Sequence, residues 1–107
     1  MLKIMATKVS FSDLIKGEKP VLVDFTAAWC GPCKAMSPVL EKVKKNIGEK
    51  ASIIKVDIDR NQQFATSMGI SGVPTFVIFK NGKEKWRHVG MIPGTQLESV
   101  LEGFSSK

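Results

Sequence analysis

Three short and nearly uninterrupted apolar runs, VLVDF (residues 21–25), SIIKVDI (52–58) and TFVIF (75–79), alternate with stretches whose apolar residues recur every three or four positions. No other feature constrains the fold so tightly. A run that is apolar at nearly every position belongs to a strand covered on both faces. Strands separated by helices run parallel through right-handed crossovers. The Asn81-Gly82 dipeptide changes the direction near the end of the chain, because it is a strong two-residue hairpin signal joining TFVIF antiparallel to a strand around Trp86–Val89. With a weak strand over Leu2–Ala6, the expected order is β, α, β, α, β, α, β, β, α. That order describes an α/β fold, a mixed central β-sheet of about five strands flanked by four helices on its two sides.

The helical segments carry their own signals. In TQLESVLEGF, Leu97, Val100, Leu101 and Phe104 fall at i, i+3, i+4 and i+7, and Thr95 with Glu98 reads as a capping box. SFSDLI has a weaker box, Ser10 with Asp13, and stops at Gly17. The longest helix is predicted from about Pro32 to Ile47, with Cys33, Met36, Val39, Leu40, Val43 and Ile47 inward, Pro38 in its interior and Gly48 as terminator. A short helix near Asn61–Met68 ends at Gly69.

A chain of 107 residues with 43% hydrophobic content is long enough to bury a core without staples, so a single domain over residues 1–107 is expected. Its two cysteines, Cys30 and Cys33, are therefore not needed to hold it together. A disulfide-dense secreted scaffold carries four or more at wide spacings; one narrow pair points to a reducing compartment and a working dithiol. No signal-peptide pattern and no membrane-length apolar run appears, so a cytoplasmic protein with no membrane partner is expected. The net charge of +6, with Lys42, Lys44 and Lys45 clustered, reads as a solvated basic face rather than a nucleic-acid site. One CxxC with a single histidine falls short of the four ligands of a structural zinc, so no metal is expected.

The cysteines lie in WCGPC, in the turn between the central apolar strand and the longest helix. Backbone N–H groups in the first turn of a helix are unpaired and the dipole is positive there, which favours a thiolate at Cys30. Cys30 is thus the expected nucleophile, at the exposed end, while Cys33 begins the inward face. Cβ atoms at i and i+3 lie about 5–6 Å apart and a disulfide needs about 3.5–4.5 Å, so the turn has to tighten to close the bond. Such a bond is easily made and easily broken. Gly31 leaves the sulfur open to a partner, and Pro32 presets φ where a missing N–H costs little. Neither gives the thiolate a side-chain donor, which leaves the pair comparatively reducing.

WCGPCK, the preceding VDF, the Val73-Pro74-Thr75 step, the Asn-Gly hairpin and the Val89-Gly90 pair together resemble the thioredoxin family, and the resemblance covers nearly the whole chain. It implies the thioredoxin fold and a dithiol that reduces disulfides of target proteins, recycled by an NADPH-dependent thioredoxin reductase, with no cofactor held by this chain, acting as a monomer. Lowering a thiol pKa from about 8.5 to about 7 raises its thiolate fraction at neutral pH roughly 15-fold, and lost nucleophilicity takes back about fivefold. Most of the rate must then come from positioning the target disulfide.

The resemblance also assigns residues around the sulfurs. From the residues alone Asp24 is open between a solvated strand carboxylate and a buried one; the resemblance turns it inward, as a base for Cys33, facing Lys55. Sequence alone makes the Val73-Pro74 bond trans, since cis X-Pro bonds are about 5–6% of the total; the resemblance makes it cis, with the Val73 backbone free to pair with an extended substrate. Trp29, Gly31, Pro32, Val73, Pro74, Gly90 and Met91 are the expected substrate-binding residues. Thr26 and Met91 depart from the family pattern, and His88 receives no role. Two other readings are a glutathione-linked, glutaredoxin-like reductant, which Gly31-Pro32 argues against, and a redox-independent binding subunit of a larger assembly.

Overall fold

The β-branched and aromatic runs form strands and the three- and four-spaced stretches form helices in the computed structural model, which describes the backbone of residues 2–4 and the whole of residues 10–105. In chain order the elements are β1 (Leu2–Ile4), α1 (Phe11–Ile15), β2 (Val21–Thr26), α2 (Gly31–Ile47), a 3-10 turn over Gly48–Lys50, β3 (Ser52–Asp57), α3 (Gln62–Ser67), β4 (Thr75–Lys80), β5 (Lys83–Val89) and α4 (Gly94–Ser105). The expected order holds for every element; Met5 and Ala6, placed in the first strand from sequence, lie outside the described residues. Five strands form one sheet in the order β1-β3-β2-β4-β5. β1 and β2 pair parallel with β3, whereas β4 pairs antiparallel with both β2 and β5.

Side-chain alternation along these strands divides the core in two. Leu22, Ile53, Phe76 and Ile78 face α2 and α4, where they meet Met36, Leu40, Val43, Ile47, Leu97 and Leu101. Each fully buried aliphatic side chain stabilises by roughly 1.5–3 kcal/mol before chain entropy is counted, so the α2 row alone secures that helix. Val39 is only partly covered, and Pro38 lies on the exposed outer side of α2. The other face carries Val23, Phe25, Ile54, Val56, Val77 and Phe79 against α1 and α3. Three tilted or edge-on ring pairs tie this layer together: Phe11 with Phe64 at 4.6 Å, Phe11 with Phe79 at 5.2 Å and Phe25 with Phe64 at 5.9 Å.

Turn chemistry follows sequence closely. Asn81 and Gly82 both take positive φ, 55° and 79°, as a type I′ hairpin requires, and Lys80 pairs with Lys83 across it. Gly48 ends α2 at φ 59°. β5 starts at Lys83, three residues before the expected strand, because hairpin pairing carries the exposed Lys83, Glu84 and Lys85 into the ladder. A bulge opposite Ile78 and Phe79 and these charges protect the edge of the sheet.

Neither expected capping box forms. α4 begins at Gly94, and the Pro93 carbonyl accepts from the N–H groups of Gln96 and Leu97, so Thr95 is already inside the helix. Glu98 instead accepts from Asn46 Nδ2 at 2.9 Å, tying α4 to α2. At α1 the Ser10 side chain makes no capping bond and its hydroxyl pairs with that of Ser12.

The topology gathers the site. Because β4 is antiparallel to β2, the start of β4 lies at the finishing end of β2, with Thr75 opposite Phe25. β5 reverses again, so its last residue, Val89, pairs with Thr75 at the same end. The turn after β2, the loop after β3, the loop entering β4 and the turn leaving β5 therefore converge on one edge of the sheet.

Candidate active site

Cys30 is the N-cap of α2, in extended conformation, and its Sγ accepts a hydrogen bond from the Cys33 N–H at 3.1 Å. This is the interaction that the helix-terminus argument requires: an unpaired N–H of the first turn directed at a sulfur that becomes anionic. Pro32 occupies the first turn, where its lack of an N–H costs nothing, and a Cβ on Gly31 would meet nothing within 4 Å. Cys30 and Cys33 are joined as a disulfide with their Cα atoms 5.3 Å apart.

The structure corrects the expectation that exposure separates the two cysteines. Cys30 is 3% exposed and Cys33 8% exposed, because Ala27, Ile58 and Val73 pack around both sulfurs. Position relative to the helix terminus distinguishes them instead: the Cys30 sulfur receives the N–H, whereas Cys33 begins the buried side of α2.

Val73 and Pro74 reach the sulfurs from the loop entering β4. The Val73-Pro74 bond is cis, and Cys30 Sγ lies 3.6 Å from the Val73 carbonyl oxygen. Pro74 is buried and Val73 half-buried. The Pro74 carbonyl accepts from the Gly90 N–H at 2.8 Å, which couples this loop to the turn leaving β5. Gly90 has φ 99°, a conformation that favours glycine. Beside it the Val89 and Met91 side chains are bared to solvent.

Trp29 is 67% exposed, so filling the core is not its task. Its Nε1 donates to Asp59 Oδ2 at 2.8 Å, which fixes the ring beside Cys30. Asp59 was invisible to sequence reasoning. The DIDRN stretch signals a turn, and Asp57 does accept from the backbone N–H groups of Asp59 and Arg60, but nothing in the spacing points 30 residues back to Trp29. Thr26 closes β2, half-buried, and its carbonyl accepts from the Ile58 N–H at 2.9 Å.

Asp24 settles into the interior. It lies on the side of β2 that carries Leu22, facing α2 and α4, opposite Phe76 on one side and Lys55 on the other. Burial pushes its carboxyl up from the ordinary 3.8 to about 6, and the Lys55 ammonium pulls it partly back. Lys55 is half-buried, and among the described residues the two form no direct ion pair. The arrangement is a carboxyl that titrates just below neutrality on the side of the sheet covered by α2, with a cation in register. No cluster of three or more histidine, cysteine, aspartate or glutamate side chains that could hold a metal occurs among the described residues, and no helix among them is long and apolar enough to cross a membrane.

With this geometry in place, comparison with known proteins is specific. The Thioredoxin family model matches residues 3–103. The chain is 45% identical to the chloroplastic thioredoxin Y of Oryza sativa over 94% of its own length, which corresponds to 65% of the rice protein. It is 42% identical to a thioredoxin of Alicyclobacillus acidocaldarius, covering 89% of this chain and 90% of that one. Among solved structures, a thioredoxin of Malassezia sympodialis superposes with a TM-score of 0.86 at 38% identity, covering 98% of this chain and 94% of that one.

Proposed function

This chain is a member of the thioredoxin family, a thiol–disulfide oxidoreductase, and on that basis we propose that Cys30 attacks and Cys33 resolves in the reduction of disulfides in target proteins. The single observation that carries the assignment is the hydrogen bond from the Cys33 N–H to Cys30 Sγ at the start of α2, which stabilises a thiolate at Cys30 and not at Cys33. The Cys30 thiolate attacks one sulfur of the target disulfide; that bond breaks, the other sulfur leaves as a thiolate and takes up a proton, and a mixed disulfide remains. Cys33 then loses its proton and attacks the Cys30 sulfur, which releases the second target thiol and leaves the Cys30–Cys33 disulfide. Two electrons pass to the target. A thioredoxin reductase using NADPH restores the dithiol.

Asp24 is the proposed acceptor for the Cys33 proton, with Lys55 moderating its charge. The support is its burial and a carboxyl at about 6, close enough to neutrality to take a proton and give it back. Trp29, Gly31, Pro32, Val73, Pro74, Gly90 and Met91 form the proposed docking groove. In it an extended target segment lies along the Val73 backbone, and the bared Trp29, Val89 and Met91 side chains supply apolar contact. The chain is proposed to work as a monomeric single domain in the cytoplasm, where thiols are kept reduced.

Insulin-disulfide reduction tests this reading, first with dithiothreitol and then with NADPH and a thioredoxin reductase as the electron source. Turnover with both, abolished by Cys30→Ser, is the expected result. Reduction sustained by glutathione and not by the reductase would reassign the chain to glutaredoxin-like chemistry, and full activity in Cys30→Ser would refute the dithiol mechanism.

A further inference from the structure

His88, the one histidine of the chain, is left without a task by the chemistry above. We propose that it is a positioning residue for the docking groove, holding the Gly90–Met91 turn at the height at which it borders the sulfurs. The inference rests on the proposed groove and names the side chain that sets one wall of it.

His88 Nε2 lies 3.0 Å from the Met91 carbonyl oxygen. A carbonyl can only accept, so the nitrogen has to carry the hydrogen, as it does in the Nε2–H tautomer or in the imidazolium. The ring is not free to swing away. It stacks on Trp86, two residues earlier on the same side of β5, with centroids 6.0 Å apart and planes 10° from parallel. Trp86 is in turn packed against the core beneath α2 and α4. Core packing therefore orients Trp86, Trp86 orients the imidazole, and the imidazole fixes a backbone carbonyl of the turn.

That turn needs the restraint. It begins at Gly90, whose positive φ makes it the most permissive point in the segment. Its start is tied by the Gly90 N–H to the Pro74 carbonyl, and its far end by Ile92, which is buried in the core. Between them Met91 projects an exposed side chain, and the His88 bond to its carbonyl holds the middle of the turn. A loop held at three points presents Met91 to a target in one position; held at two, it has to be ordered each time a target docks. The cost of that ordering falls on binding and not on sulfur exchange.

The test compares His88→Leu, which keeps bulk and removes the nitrogen, with His88→Gln, whose amide nitrogen replaces Nε2. Each is assayed for reduction of insulin and of a small aromatic disulfide that needs no groove. The expected result for His88→Leu is about a fivefold rise in KM for insulin, the factor that one net hydrogen bond supplies, at unchanged kcat and unchanged rate on the small disulfide. His88→Gln should restore most of the KM. Nitrogen-15 NMR of the oxidised native protein should show His88 with a hydrogen on Nε2. An Nδ1–H tautomer, a His88→Leu KM equal to the native one, or equal losses in His88→Leu and His88→Gln would each overturn the proposal. Met91→Ala separates this failure from that of the groove itself. If Met91→Ala raises the insulin KM while His88→Leu does not, only the positioning role falls; if neither does, the Met91 wall of the groove falls with it.

Discussion

Replacing Asp24 by Asn should stabilise the protein and impair it, and the structure sets the size of the first effect. Raising the carboxyl from 3.8 to about 6 makes its ionisation in the folded chain costlier than in the unfolded chain by about 3 kcal/mol. A folded state that holds its proton to higher pH loses stability as pH rises. The loss is absent below pH 3.8, grows between there and about pH 6, and is complete above. Asn carries no charge at any pH, so Asp24→Asn should be up to about 3 kcal/mol more stable at pH 7 and about equal to the native protein at pH 3.5. For a chain of this length 1 kcal/mol moves Tm by about 4 °C, so the expected gain at pH 7 is roughly 10 °C. Thermal melts of both forms from pH 3.5 to 8 measure the gap, and rapid mixing with a single protein disulfide measures resolution by Cys33. Loss of the internal base should slow resolution on the order of a hundredfold, at the low end of what a positioned base contributes. A Tm gap that is the same at pH 3.5 and pH 7 would show that the Asp24 charge costs the fold nothing, and native-rate resolution would remove its role as base.

The remaining predictions address the sulfurs, the groove and the core. Cys33→Ser should accumulate mixed disulfides with target proteins, visible by non-reducing electrophoresis and mass spectrometry, whereas Cys30→Ser should not; equal trapping by both would reverse or erase the division of roles. Trp29→Ala, which removes an exposed ring and its bond to Asp59, should lower kcat/KM for insulin several-fold and leave the small aromatic disulfide unaffected; an equal loss on both substrates would mean that the ring acts on the sulfurs and not on docking. Leu97→Ala, at a fully buried position between α4 and α2, should cost about 2–5 kcal/mol in denaturant unfolding; a loss under 1 kcal/mol would show that the α2–α4 layer repacks freely.

Much of this could be read from the residues because local and tertiary signals agree. Apolar runs with no polar alternation gave the doubly covered strands, and Asn81-Gly82 gave the hairpin together with the antiparallel half of the sheet. Where tertiary contact outranked local chemistry, sequence reasoning missed. Thr95 and Glu98 have the spacing of a capping box, yet Glu98 bonds Asn46 across the α2–α4 contact, and the helix starts at Gly94, which puts Thr95 inside it. Lys83, Glu84 and Lys85 have little strand propensity, and pairing with β4 overrides it. At the site, the cysteines, Gly31 and Pro32 declared themselves through spacing. The Asp59 and His88 contacts did not, because each is a single long-range or backbone hydrogen bond that leaves no periodic trace. The exposure assigned to Cys30 was wrong for a related reason: Ile58 and Val73, which cover it, are 28 and 43 residues away in the chain.

On the proposed reading, the two buried sulfurs and the bared side chains around them share the handling of a target. Cys30 and Cys33 are only 3% and 8% exposed, so the proposed reaction needs the partner's sulfur brought down to Cys30. The proposed means of doing so is a backbone, the Val73 carbonyl lying 3.6 Å from Cys30 Sγ beside the groove proposed for an extended segment. Apolar contact with the bared Trp29, Val89 and Met91 side chains is the proposed source of attraction at the rim. On this proposal, discrimination among targets lies at the rim and the chemistry at the floor. The Gly90 N–H, bonded to the Pro74 carbonyl, ties the rim to the loop beside the sulfurs. Substitution at Met91, an exposed position that departs from the family pattern, is therefore expected to alter which partners bind while Cys30 and Cys33 go on exchanging electrons by the same route.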